Sequence, residues 1–232
     1  MLFQEREQEI QHLRDQVMTL GRTVQESIGS SIQVLQWRAP HGSRPLIVLD
    51  HDIAKKRFAI EMDCITLIAA CQPSDNLLRE IVALLEVASE LERIGVHVTE
   101  IARVHFLVVQ IDESAAALLT PLQEMARLTQ AMLNRALRAF ERHDLESARQ
   151  VHADDEAVDE LCRQVYQDGL ARMKGQSRTM IKQLRHLLQI ARSLERVADR
   201  VTNICEWVAF AGGGAILNDA NAQIYALEAA VR

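Results

Sequence analysis

The segment Leu91-Glu92-Arg93-Ile94 returns 103 residues later as Leu194-Glu195-Arg196-Val197, and Val98, Thr99 and Ile101 return as Val201, Thr202 and Ile204. Leu84 over Leu187 and Ala88 over Ala191 extend the match upstream. Self-similarity at a fixed offset marks an internal duplication, so the chain is expected to build one unit twice. What that unit can be follows from its punctuation. Four prolines, nine glycines, two Trp, two Tyr and five Phe in 232 residues are too few for the turns and aromatic strands of a β-sandwich or barrel. Long helices remain. With 48% apolar and 25% charged residues the chain is globular, not disordered or collagen-like, and long enough to bury a core without a disulfide or metal staple.

The apolar spacing places the helices. Leu13, Val17, Leu20, Val24, Ile28 and Leu35 form one stripe that must stop before Pro40, and residues 39–45 read as the first loop. A second pattern runs from Leu46 to Cys71 through Ile53, Phe58, Ile60, Ile65 and Ile68 and is stopped by Pro73. Ser74 and Asp75 can cap a third helix carrying Leu77, Ile81, Leu84, Leu91, Ile94, Val98 and Ile101. After a weak stretch, Thr120 reads as a cap with Pro121 in the first turn of a fourth helix, on Leu122, Met125, Leu128, Met132, Ala136 and Phe140. Asp144 can cap a fifth, ending near Gly169 to Gly175, and a sixth runs from about Ser177 to Phe210 before the triplet Gly212 to Gly214. The expected fold is all-α: two tandem three-helix bundles, residues 1–111 and 112–211, then a Gly-rich break and a short amphipathic tail to residue 232.

Charge and cysteine usage narrow the function. The 26 basic and 32 acidic residues give a net charge of -6, with no basic stripe for nucleic acid. The best apolar run, Cys64 to Cys71, contains a threonine and falls well short of the roughly 18 residues that span a bilayer. The charged start MLFQEREQEIQ lacks the layout of a secretory signal, so a cytoplasmic chain is expected. Cys64, Cys71, Cys162 and Cys205 form no CxxC pair and read as buried free thiols.

The residues that can carry chemistry are acids. Asp155 and Asp159 lie four apart on helix five, Glu195 and Asp199 four apart on helix six, and that spacing stacks each pair on one face. If the faces adjoin, four carboxylates converge and repel each other unless protons or a cation compensate. Asn203 could add an oxygen to the ladder, and Arg196 and Arg200 could instead neutralise it. Hard oxygen ligands select Mg, Ca, Mn or Fe over Zn or Cu. The first half keeps Glu92 and Asp50, but Ala54 and Val96 stand where the second has Asp159 and Asp199, with Asp52 and Glu100 nearby.

LERIGVHVTEIAR from Leu91, ARSLERVADRVTNICEW from Ala191, QPSDNLLR from Gln72 and VMTLGRTVQESI from Val17 resemble the PhoU-type regulators of phosphate uptake. The resemblance covers nearly the whole chain up to Gly214. It implies metal ligation by Asp155, Asp159, Glu195 and Asp199 in the second repeat, with Asp50 and Glu92 the surviving equivalents in the first. Ala54, Val96 and Leu77 stand where the family usually carries acids, so metal is expected weakly or not at all there. The resemblance also implies a non-enzymatic regulator that represses phosphate-starvation genes when phosphate is plentiful. Its implied partners are a phosphate ABC transporter with its ATPase and a phosphate-sensing histidine kinase. The protein would thus be peripheral to the membrane through its partners, and a homodimer is expected.

Other constellations are thinner. Glu9 and His12 form a lone ExxH, where a ferritin-like di-iron site needs two plus two further glutamates. A ferritin-like di-metal oxidase or metal-storage bundle is nonetheless the alternative, because metal in a helical bundle can do redox work. Arg79 reads as fixing the start of helix three through a nearby acid. No nucleophile elbow or Walker pattern supports a hydrolase or ATPase.

Overall fold

The computed structural model describes residues 2–37, 43–107 and 111–212. The expected tail helix, and most of the expected first loop, lie outside these residues. Among these residues six long helices form, with one short turn of helix between the halves: α1 (Leu2–Trp37), α2 (Arg44–Cys71), α3 (Asp75–Leu107), α4 (Glu113–Ala116), α5 (Leu119–Arg142), α6 (Leu145–Met173) and α7 (Arg178–Ala211). The all-α expectation is met, and among the described residues there is no strand.

Local chemistry sets most boundaries. Pro45 sits in the first turn of α2, where its fixed φ and missing N–H cost nothing, so the last residues of the expected loop are already helical. Gln72 adopts a left-handed conformation (φ 43°) that ends α2 before Pro73. The Asp144 carboxylate accepts from the backbone N–H of Glu146 and Ser147, both at 3.1 Å, and these bonds with the Ser147 hydroxyl hold its carboxyl below the usual range. Ser177 Oγ accepts from Met180 N–H at 3.3 Å to start α7. The expected Thr120 cap is wrong. α5 begins two residues earlier, and the cap position falls to Leu118, which makes no side-chain bond. Leu118 is buried with Ala115 and Ile111, so apolar anchoring of the α4 turn overrides capping there.

The helices α1, α2 and α3 pack together, as do α5, α6 and α7; α3 then packs on α7 and α1 on α5. Four helices thus share one central core, while α2 and α6 lie outermost, each touching only helices of its own half and, for α6, α4. The approach of α1 to α5 needs Gly21: a Cβ there would lie 2.7 Å from Leu137 Cδ1. Arg79, at the start of α3, lies 5.4 Å over the Phe210 ring near the end of α7, a cation–π contact and not the expected pairing with an acid.

The apolar pattern read on α2 mixed two faces. Ile53 and Ile60 are buried, but Phe58 is 57% and Ile65 49% exposed, alongside exposed Val48 and Met62. As an outer helix α2 buries one narrow stripe, Leu46, Ile53, Ile60 and Leu67 with Cys64 and Cys71, and leaves its opposite apolar face uncovered. Phe58→Ser is therefore expected to leave Tm nearly unchanged. Ile60→Ala, which opens a cavity, should lower it by roughly 5–15 °C. Thermal melts of the two variants check this.

All four cysteines are free and buried. Burial first, then neighbouring acids, push the thiols of Cys64 to about 11 and of Cys205 to about 12, which leaves both unreactive at neutral pH. No described helix is long and apolar enough to cross a membrane.

Candidate metal centre

The packing of α6 on α7 positions the second-repeat acids. On α6, Val151, Val158, Cys162 and Val165 are buried and hold the helix against α7; Asp155 and Asp159 flank that stripe half-buried. On α7, Leu194, Val197, Ala198 and Val201 are buried, with Glu195 half-buried and Asp199 exposed beside them. The four carboxylates share one electrostatic field. Burial first, then Asp159, Asp199, Glu195 and Glu156, push the Asp155 carboxyl up from 3.8 to about 6. Burial, Glu195 and Asp159 push Asp199 up as well, against the opposing charges of Arg200 and Arg192.

Asp155 Oδ1 is buried and has no hydrogen-bond partner. An orphaned oxygen in a group of mutually repelling carboxylates is what a cation would satisfy, and an all-oxygen acid set suits a hard one. In that sense the residues fit a metal. The shell is not closed: among the described residues, no three His, Cys, Asp or Glu side chains are drawn close enough to hold an ion. The acids face one another across α6 and α7 as a field that metal binding would have to contract.

Two residues at this site escaped the sequence reading. Cys162 Sγ donates to Glu195 Oε2 at 3.5 Å, and burial, then Glu195, push its thiol to about 12. Arg192 reaches Glu195 Oε2 at 2.5 Å. The signal for both was spacing, since Cys162 follows Asp155 and Asp159 at i+7 and i+3, and Arg192 precedes Glu195 by three. Of the residues expected along the ladder, Arg200 does act on Asp199, but its guanidinium and the Asn203 amide are directed elsewhere. Arg200 crosses to the first half, where its Nη1 lies 3.5 Å from the buried Glu90 of α3. Asn203 Nδ2 donates to the same carboxylate at 3.4 Å, so Asn203 is turned away from the acidic ladder.

The first repeat looks different at the matching place. Asp50 is half-buried on α2, and Asp52 is exposed. Glu92 on α3 lies 3.0 Å from Arg57 Nε, a charge contact whose N–H is not aligned into a hydrogen bond. Arg57 also pairs with Glu61. Val96 is 44% exposed. Glu100 is turned to His97 at 3.2 Å and accepts from the Ser193 hydroxyl of α7 at 3.2 Å. These residues do not fit a metal: Ala54 and Val96 leave only two of the four acids, and Glu92 meets a guanidinium from the facing helix α2, whereas Arg192 reaches Glu195 along its own helix.

Comparison with known proteins agrees with the fold. The PhoU domain family model matches residues 17–104 and again 122–208. The chain is 31% identical over 200 residues to the phosphate-specific transport system accessory protein PhoU of Edwardsiella tarda, covering 86% of this chain and 81% of that protein. It is 30% identical over 200 residues to the protein of the same name from Escherichia coli K12, covering 86% and 82%. The crystal structure of the phosphate transport system regulatory protein PhoU from Streptococcus pneumoniae superposes with a TM-score of 0.83 at 27% identity, over 92% of this chain and 99% of that one.

Proposed function

Because the chain belongs to the PhoU family, we propose that it is an accessory regulator of phosphate uptake and of the phosphate-starvation response, acting by protein contact and not by catalysis. The carrying observation is the match of the family model to both halves, together with relatives that cover most of the chain. That twofold match favours this reading over the ferritin-like oxidase or storage bundle.

In this reading the partners are the ATPase of a phosphate ABC transporter and a phosphate-sensing histidine kinase. The chain works as a homodimer in the cytoplasm, and residues 1–111 and 112–211 are its two duplicated units. Asp155, Asp159, Glu195 and Asp199 hold a cation of the Mg, Mn or Fe class. Its charge would relieve carboxylate repulsion and fix the relation of α6 to α7. The supports for that site are the unpartnered Asp155 Oδ1 and the raised Asp155 and Asp199 carboxyls.

The test is genetic and biochemical. In phosphate-replete cells lacking their own regulator, expressing the chain should repress a phosphate-starvation reporter roughly tenfold or more, and a tagged chain should retain both partners. A reporter that stays fully induced by a stably expressed chain would sink the regulatory reading.

A further inference from the structure

The two outer helices can be aligned by what they bury. Shifting α2 by 105 residues places Leu46 over Val151, Ile53 over Val158, Ile60 over Val165 and Cys64 over Gly169, every one buried. In the same register Asp50 and Ala54 fall on Asp155 and Asp159, and Arg57 falls on Cys162. The contacts agree with this alignment. Cys162 meets Glu195 at 3.5 Å, and Arg57 meets Glu92, the residue that Glu195 repeats, at 3.0 Å. A neutral thiol and a permanently charged guanidinium therefore occupy equivalent places against equivalent glutamates.

We propose that Arg57 is the resident cation of the first repeat: its guanidinium reaches Glu92 from the facing helix α2, the side on which the second repeat presents the neutral Cys162 and two aspartates while Arg192 reaches Glu195 only along its own helix, so that the first repeat excludes metal. The surroundings share this bias. A surface pocket of about 360 Å³ at Val96 is lined by Arg93, His97 and Arg200, where the second repeat has Asp199 at the position of Val96. Of the four acids in the second repeat, the first keeps two, and one of these faces Arg57. A metal ion entering there would meet a fixed positive charge at Glu92 instead of a full set of anionic oxygens.

The proposal rests on the second-repeat metal reading in one arm of its test only. In the first arm, metal-free protein is melted as the parent, Arg57→Gln, Glu92→Gln and the double variant. Arg57→Gln is expected to lower Tm by roughly 2–4 °C, and by less when Glu92→Gln is already present, the remainder coming from its pair with Glu61. Equal losses in both backgrounds would overturn the role of Arg57 as the counter-charge of Glu92. In the second arm, bound Mn is measured after loading. Ala54→Asp with Val96→Asp restores the acids but keeps Arg57, and should hold the parent stoichiometry; adding Arg57→Cys should raise it by about one ion per chain. A gain before Arg57 is removed, or none after it in a parent that binds Mn, would overturn the exclusion. If the parent and all variants bind no Mn, the second-repeat metal reading and the exclusion both fail, and the melts still decide whether Arg57 neutralises Glu92.

Discussion

Asp199→Ala is expected to cut bound Mn or Fe about tenfold or more at limiting metal, whereas Glu92→Ala should leave it nearly unchanged. The asymmetry follows from the donor sets. Asp199 is one of four acids whose charges act on each other across α6 and α7, and its removal leaves three. Glu92 faces Arg57, so deleting it takes nothing from the second-repeat site. Elemental analysis of the two variants beside the parent, after loading and desalting, reads the difference directly. Equal loss from both, or a parent that retains no metal, would leave the four acids as a partly solvated face.

The second large effect is a dependence of stability on pH that metal removes. The Asp155 carboxyl titrates near 6 in the folded chain against 3.8 as its ordinary value, so between about pH 4 and pH 6 the folded state binds more protons than the unfolded one. Stability from this group is therefore fully present below the unfolded value and is lost as pH rises through the folded one. Asp199 is shifted in the same direction and adds to the slope. Partial solvent screening brings the cost above pH 6 to about 2 kcal/mol, or roughly 4–8 °C in Tm. Melts of metal-free parent and Asp155→Asn at pH 5 and pH 7 isolate this contribution, which the variant should lack. Saturating Mn should recover most of the loss at pH 7 and far less at pH 5. A parent whose Tm changes no more than that of the variant would show that the acids do not repel one another enough to matter.

Helix order, the Asp144 cap and the start of the last helix near Ser177 were legible in the sequence, because each depends on residues close together in the chain. The buried face of α2 was not. Its pattern holds apolar residues on two sides, and only packing shows that Ile53 and Ile60 turn inward while Phe58 and Ile65 face out. The Thr120 cap failed for a related reason: a strong local signal lost to Leu118, whose burial depends on distant residues. The four acids that act on one another across α6 and α7 could be named from their i to i+4 spacing. The partners of their neighbours could not, since Arg200 and Asn203 leave the ladder to meet Glu90, a residue more than a hundred positions away.

That crossing also governs which surfaces of the molecule can recognise each other. Along α3 and α7, Ser193 stands at the repeat position of Glu90 and Asn203 at that of Glu100, and the observed pairs are Glu90 with Asn203 and Ser193 with Glu100. Two copies of α3 set face to face in the same geometry would bring Glu90 against Glu100 twice, with the Ser193, Arg200 and Asn203 of α7 replaced by Glu90, His97 and Glu100. Like faces are therefore penalised and unlike faces are matched, which is selectivity by repulsion of the wrong mate. The first half cannot substitute a second copy of itself for the other half. An exchange of halves between two chains, by contrast, would preserve every one of these bonds.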